Sequence, residues 1–112
     1  MNFKIHKENG IQIIKILNSK ATAVISSEFR ESVKELLDKE QPKLLLVDFS
    51  VVDYIDSSFI GSMVGLYKET KQINGELRVF GLHPMVESVF ESTRLYNIFK
   101  IFKDKSEALA AG

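Results

Sequence analysis

Strand-length apolar runs alternate with helical apolar stripes along most of this 112-residue chain. Two strand-like segments come first, joined by Asn9-Gly10, a sequence that tolerates the positive φ angles of tight hairpins. Helix-like and strand-like segments then alternate, which is typical of strands that pair in parallel through right-handed crossovers. The sequence therefore predicts an α/β fold with a mixed, mainly parallel sheet of four or five strands and about four helices.

Capping residues and chain breakers give the boundaries of these elements. We predict strands over residues 2–6, 11–17, 43–48, 76–80 and 98–102. We predict helices from Ser26 or Ser27 to about 39, from Ser57 or Ser58 to Asn74-Gly75, over 83–93 and over 104–111, with an irregular connection over 18–25. The predicted core-facing residues are Phe29, Val33, Leu36 and Leu37 in the first helix, Ile60, Met63, Val64 and Tyr67 in the second, and Val86, Val89 and Phe90 in the third.

Composition argues against several classes of protein. Fifteen basic and fifteen acidic residues cancel, so the chain lacks the broad positive charge on which nucleic-acid and anionic-membrane binders rely. With no cysteine, it has neither a disulfide scaffold nor a thiolate metal site. The N-terminus lacks an apolar signal region, and no apolar run approaches the ~20 residues that span a bilayer. We expect a single domain over 1–112 in the cytoplasm.

Residues typical of catalytic or metal sites are scarce. The two histidines, His6 and His83, are far apart and lack the spacing of metal ligands. Ser57 lies outside a Gly-x-Ser-x-Gly elbow, and there is no Walker lysine after a glycine loop. We therefore expect no metal, no cofactor and no enzymatic activity.

The segment Asp56-Ser57-Ser58 follows a predicted central strand and begins a predicted helix. In α/β sheets this edge is where ligands and partners bind. A phosphate on a serine here would be stabilised by free backbone N–H groups and the helix dipole. It would add about −1.5 to −2 charge and repel a partner that accepts the neutral hydroxyl. The same three residues also form an ordinary helix cap, so local sequence leaves both interpretations open.

A family resemblance bears on this choice. Asp56-Ser57-Ser58-Phe59-Ile60-Gly61 resembles the Asp-Ser-Ser/Thr-Gly-Leu/Ile-Gly signature of the STAS family, which joins sulfate transporters with anti-sigma factor antagonists. The run Leu44-Leu45-Leu46-Val47-Asp48-Phe49-Ser50 is similar to the strand leading into the family's site. Residues 77–81 and 93–99 resemble later family segments, so the likeness extends from Ile11 to the end of the chain.

The resemblance implies a bacterial partner switch that works by binding. Ser57 would be phosphorylated by a serine kinase that is also an anti-sigma factor, and a serine phosphatase would reverse this. The unphosphorylated protein would capture the anti-sigma factor and free the sigma factor, and phosphorylation would release the captured kinase. Asp56, Ser58, Phe59 and Ile60 would contribute to partner binding. The oligomeric state stays open.

Two positions depart from the family pattern. Phe59 replaces the glycine after the serine pair, which we interpret as an aromatic anchor in an interface or, alternatively, as a core residue. Residues 18–22 lack the acidic side chains of the family's Gly-Asp/Glu-Leu/Ile-Asp stretch. These departures keep open a non-phosphorylated STAS interaction subunit of a transport or signalling complex. An enzyme or nucleotide-binding protein of the same α/β class is a second alternative.

Overall fold

A computed structural model describes residues 1–111 of the chain. The described residues form two sheets, four α-helices and a 3-10 turn at Leu95–Asn97. The strands are β1 (Phe3–Glu8), β2 (Ile11–Ile16), β3 (Lys20–Ala21), β4 (Leu44–Asp48), β5 (Tyr54–Ile55), β6 (Glu76–Phe80) and β7 (Lys100–Phe102). The helices are α1 (Ala23–Glu40), α2 (Ser57–Gln72), α3 (Pro84–Ser92) and α4 (Lys105–Ala110).

The larger sheet has five strands in the order β1-β2-β4-β6-β7. β1 pairs antiparallel with β2 through a turn at Asn9 and Gly10, both with positive φ. All other neighbours in this sheet pair in parallel. The predicted mixed, mainly parallel α/β fold with four helices is therefore confirmed.

The two faces of the larger sheet are covered unequally, and successive side chains of each strand alternate between them. One face packs against α1, α2 and α3, with Ile14, Leu45 and Val79 among the buried strand residues. The other face is covered by α4, where Ala108 packs with residues such as Leu46. The carboxyl ends of β2, β4 and β6 meet at one edge of the sheet, near the start of each large helix.

The predicted irregular connection over 18–25 is wrong. The segment contains β3, which pairs in parallel with β5 in a separate two-stranded sheet, and α1 begins three residues earlier than expected. A two-residue strand is too short to show a period of two in the sequence. Thr22 is the cap, because its Oγ1 accepts a hydrogen bond from the Val24 amide at 3.3 Å. Ser26 instead donates its hydroxyl to the Thr22 carbonyl.

The core-facing side of α2 also differs from the prediction, whereas that of α1 is confirmed. α2 buries Phe59, Ser62, Met63, Leu66 and Thr70, and leaves Ile60, Val64 and Tyr67 half-buried. The buried hydroxyls are tolerated because they donate to backbone carbonyls one turn earlier, at Ser58 and Leu66. In α3, Val86 and Phe90 are buried as predicted and Val89 is half-buried. The last strand is shorter than predicted because the 3-10 turn precedes it.

Candidate functional site

The two-stranded sheet brings the starts of α1 and α2 together. β3 leads into α1 and β5 leads into α2, so their parallel pairing places the two helix N-termini side by side. The Asp56 amide adds to this pairing by donating to the Ala21 carbonyl at 3.1 Å. Because the N-terminal N–H groups of a helix lack partners within the helix, this edge brings together two sets of donors that need acceptors from outside their helices.

Asp56 is the residue that joins the two helices. Its Oδ1 accepts a hydrogen bond from the Phe59 amide at 3.0 Å and caps α2, while its Oδ2 accepts from the Ala23 amide of α1 at 2.9 Å. These backbone donors, Phe59 first and Ala23 second, hold the pKa of the Asp56 carboxyl below its ordinary value. The two hydrogen bonds fix the loop before α2 against the start of α1. Asp56 is the N-cap, and α2 begins at Ser57, one of the two predicted starts.

Ser57 and Ser58 occupy the first two positions of α2, and both are exposed. Ser57 shares its helix face with Gly61, away from the buried stripe. Ser58 shares its face with Ser62, which contacts α1 through Arg30. The two neighbouring hydroxyls therefore project in different directions: Ser57 toward solvent and Ser58 toward the side of α1.

The interpretation of Phe59 as an interface anchor is wrong. Its side chain is 0% exposed and packs in the main core, with its ring centroid 4.7 Å from that of Phe29. The ring points inward from the first turn of α2 and leaves Ser57 exposed. Ile60, another expected partner-binding residue, is half-buried and packs against the same core. Phe59 thus fixes the first turn of α2 from within the core and leaves the two hydroxyls exposed.

Charged and aromatic side chains lie on the two-stranded sheet that precedes the serines. Lys20 on β3 forms an ion pair with Asp53 at 2.6 Å and lies over the Tyr54 ring, 5.9 Å from its centroid. The hydrogen bond from Lys20 lowers the pKa of the Asp53 carboxyl. This edge of the sheet also exposes apolar side chains on its loops and helix starts: Val24, Val51, Tyr54 and Met85.

A second loop is tied to the same edge. An imidazole nitrogen of His83, Nε2, lies 2.9 Å from the Ser50 carbonyl oxygen, and the Ser50 amide donates to Oδ1 of the buried Asp48 at 2.8 Å. Gly81 has a φ of 78°, and a Cβ there would lie 3.2 Å from the Ser50 nitrogen, which explains glycine at this position. His83 thus holds the loop before β5 against the start of α3.

Sequence reasoning missed three charged residues of this edge: Lys20, Asp53 and Arg30. Only the pairing of β3 with β5 and of α1 with α2 brings them to the edge that carries the serines. Residues 1–111 hold no cluster of three or more His, Asp or Glu side chains that could bind a metal ion. Nor does any helix among them have the length and apolar character needed to cross a membrane.

Replacing Asp56 with asparagine is expected to lower the melting temperature at pH 7 by roughly 5 °C. An amide offers one acceptor oxygen where the carboxylate serves two backbone donors. Because the pKa of Asp56 is lowered in the folded state, the stability it provides is present above the ordinary pKa of 3.8 and is lost as the pH falls through the folded value. Thermal unfolding of both proteins from pH 7 to pH 2 should show the difference closing at acid pH.

The matched control is Asp38→Asn, at an exposed position on α1. We expect this variant to melt close to the wild type throughout the pH range. A gap for Asp56→Asn that stayed constant down to pH 2 would mean that the carboxylate charge does not hold the two helix starts together.

Comparison with known proteins gives a consistent result. The STAS domain family matches residues 2–108. Over 72 residues the chain is 39% identical to an anti-sigma-B factor antagonist of Listeria monocytogenes, a match that spans 62% of this chain and 63% of the relative. It is 26% identical over 111 residues to an anti-sigma F factor antagonist of Paenibacillus polymyxa, covering 97% of this chain and 94% of that one.

Solved structures share the fold. A putative anti-sigma factor antagonist from Thermotoga maritima superimposes with a TM-score of 0.85 at 25% identity, covering 96% of this chain and 91% of that one. The Bacillus cell fate determinant SpoIIAA in its phosphorylated form superimposes with a TM-score of 0.72 at 16% identity, covering 96% of each chain. The family match over nearly the whole chain, together with the sheet order and the capped serine pair, shows that this protein belongs to the STAS domain family.

Proposed function

We propose that this protein is a cytoplasmic anti-sigma factor antagonist that works by binding and is switched by phosphorylation at Ser57. The observation that carries the proposal is the placement of Ser57. It is the first residue of α2, exposed, and turned away from the core, while the capping bonds of Asp56 fix the backbone around it. A kinase can reach such a hydroxyl without unfolding the protein.

The comparisons support this role. The Listeria and Paenibacillus relatives are named anti-sigma factor antagonists, and SpoIIAA is known in a phosphorylated form. The partner proposed for this chain is accordingly an anti-sigma factor that is also a serine kinase, opposed by a serine phosphatase.

The switch needs one group transfer in each direction. The Ser57 oxygen attacks the γ-phosphorus of a nucleoside triphosphate, and the bond from that phosphorus to the β,γ-bridging oxygen breaks. The nucleoside diphosphate leaves, and a base of the kinase takes the hydroxyl proton. The phosphatase reverses the state by directing water at the phosphorus, which restores the hydroxyl and releases inorganic phosphate. This chain contributes the acceptor and its position.

The surface around Ser57 explains how the phosphate would act on binding. Exposed apolar side chains such as Val24 and Tyr54 offer area that a partner can bury. A phosphate among them brings about two negative charges that the interface would have to desolvate. Asp53 and Asp56 already place carboxylates at this edge, so the added charge also meets like charge. Phosphorylation should therefore weaken partner binding.

The alternative is a STAS interaction subunit that is never phosphorylated. Residues 18–22 favour it, because the acidic side chains of the family pattern are absent there. The buried position of Phe59 removes the other argument for it. The two candidates differ in one respect: only the switch requires binding to depend on the charge state of Ser57.

The test compares wild-type protein, Ser57→Ala and Ser57→Asp as baits in a lysate of the source organism, with retained proteins identified by mass spectrometry and affinities then measured by calorimetry. We expect the wild type and Ser57→Ala to retain an anti-sigma factor, and Ser57→Asp to bind it at least about tenfold more weakly, a difference of about 1.4 kcal/mol. Ser106→Asp adds the same charge at an exposed serine of α4, on the other side of the sheet, and should bind like the wild type.

Two outcomes contradict different parts of the proposal. Equal retention of one partner by all four baits would remove the switch and leave a constitutive interaction module. Failure of every bait to retain an anti-sigma factor would remove the antagonist role.

A further inference from the structure

Arg30 lies on α1 opposite the first turns of α2. Its Nη1 donates to the Ser62 hydroxyl at 2.8 Å, and its Nη2 donates to the Ser27 hydroxyl at 3.4 Å. Ser62 in turn donates to the Ser58 carbonyl at 3.3 Å. These distances place Nη1 of Arg30 within about 6 Å of the Ser58 carbonyl oxygen, so the guanidinium lies one helical turn from the serine pair.

The partners of Arg30 leave its charge unbalanced. Both groups that accept its hydrogen bonds are neutral hydroxyls, and within residues 1–111 no carboxylate forms an ion pair with it. The residue is exposed, so its long side chain can move without disturbing the core. A guanidinium presents five N–H donors in a planar fork that matches the oxygens of a phosphate.

Of the two serines, Ser58 lies on the side of α2 that is nearer to this guanidinium. Residues four apart share a helix face, so Ser58 projects on the same side of α2 as Ser62, to which Arg30 is bonded. Ser57 lies one residue further round the helix, about 100° away from the direction of Ser58. A phosphate on Ser58 would meet a cation, whereas one on Ser57 would meet solvent.

We propose that Ser58 is a second phosphorylation site and that Arg30 binds its phosphate. The transfer is the one described for Ser57, with a nucleoside triphosphate as donor and the Ser58 oxygen as the new partner of phosphorus. Arg30 then leaves Ser62 and Ser27 and forms a bidentate pair with the phosphate, which joins α1 to α2. The two sites would thus differ in effect: a phosphate on Ser57 stays free to repel a partner, and one on Ser58 is held within the protein.

This inference goes beyond the proposed function and rests on it only in treating the loop as a kinase target. Its test needs no partner. Phosphoserine is incorporated genetically at position 58 or at position 57, each in the wild-type background and with Arg30→Gln, and the phosphate is titrated by 31P NMR. The second pKa of a phosphoserine is about 6. We expect phosphate at position 58 to titrate at least about half a unit lower with Arg30 than with Arg30→Gln.

The Ser57 series is the matched control, because both serines share the positive end of α2. There, Arg30→Gln should leave the titration unchanged. Arg30→Lys should keep part of the effect at position 58, since a lysine retains the charge but loses the fork. Melting of the unphosphorylated Arg30→Gln protein close to the wild-type temperature would show that the fold is intact.

Two results would overturn the inference. An identical titration of phosphoserine 58 with arginine and with glutamine at position 30 would show that Arg30 does not bind the phosphate. Phosphopeptide mapping of the protein from its source organism that found phosphate on Ser57 alone would remove the second site. Neither result depends on whether an anti-sigma factor is the partner.

Discussion

Replacing Phe59 with alanine is expected to lower the free energy of unfolding by about 3–5 kcal/mol, a large part of the stability of a small domain. The ring is wholly buried, and its centroid lies 4.7 Å from that of Phe29, which in turn contacts Phe3 at 5.3 Å between centroids. Truncation would leave a cavity between α1 and α2 that the two stiff neighbouring rings cannot fill. Urea unfolding followed by circular dichroism measures the loss.

Two further variants make this prediction specific. Val24→Ala removes apolar atoms from a side chain that is 89% exposed at the start of α1, and we expect a change within about 0.5 kcal/mol. Phe59→Gly introduces the residue of the family signature and should cost more than alanine, because glycine also destabilises a helix. A loss below about 1 kcal/mol for Phe59→Ala would show that the first turn of α2 is not fixed by this ring.

The order of the elements and the sheet they form could be predicted from sequence patterns. Asn9-Gly10 marks the hairpin, and the apolar stripe of α1 is regular enough to identify its buried face. The placement of Asp56-Ser57-Ser58 at the start of a helix, past the end of the central strand β4, could also be predicted. These features are local, so neighbouring residues are enough to determine them.

The rotation of α2 and the joining of the helix starts could not be predicted in this way. Phe59 and Ile60 are adjacent apolar residues, 100° apart on the helix, and only packing against Phe29 selects the first for the core. The contacts of Asp56 with Ala23 and of Arg30 with Ser62 link residues more than thirty positions apart. They depend on the β3–β5 pairing, whose two-residue strands have no periodic signal.

The other large effect is expected at Arg78, which holds α4 against the sheet. The side chain is 4% exposed, although it is charged. Its Nη1 donates to the Ala108 carbonyl of α4 at 2.6 Å, its Nε donates to Glu76, and the guanidinium lies 5.5 Å from the centroid of the Phe102 ring. The hydrogen bond from Arg78 also lowers the pKa of the Glu76 carboxyl. One buried cation thus connects β6, β7 and α4.

We expect Arg78→Ala to lower the free energy of unfolding by about 2–3 kcal/mol, less than for a fully buried pair because Glu76 keeps contact with water. Arg78→Met should cost about half as much, since it keeps the packing and loses only the polar bonds. Arg94→Met, at an exposed position, is the control and should change little.

Hydrogen exchange distinguishes local opening of α4 from global unfolding when Arg78 is replaced. The Ala108 amide, which donates to the carbonyl of the α4 cap Asp104, should exchange faster in Arg78→Met than the global loss of stability of that variant accounts for.

The pH dependence of stability gives a second check. With its lowered folded pKa, Glu76 stabilises the wild type above its ordinary pKa of 4.5, and this contribution is lost as the pH falls through the folded value. The gap between the wild type and Arg78→Met should therefore narrow in acid; a constant gap with a protected Ala108 amide would mean that α4 is held by its apolar contacts alone.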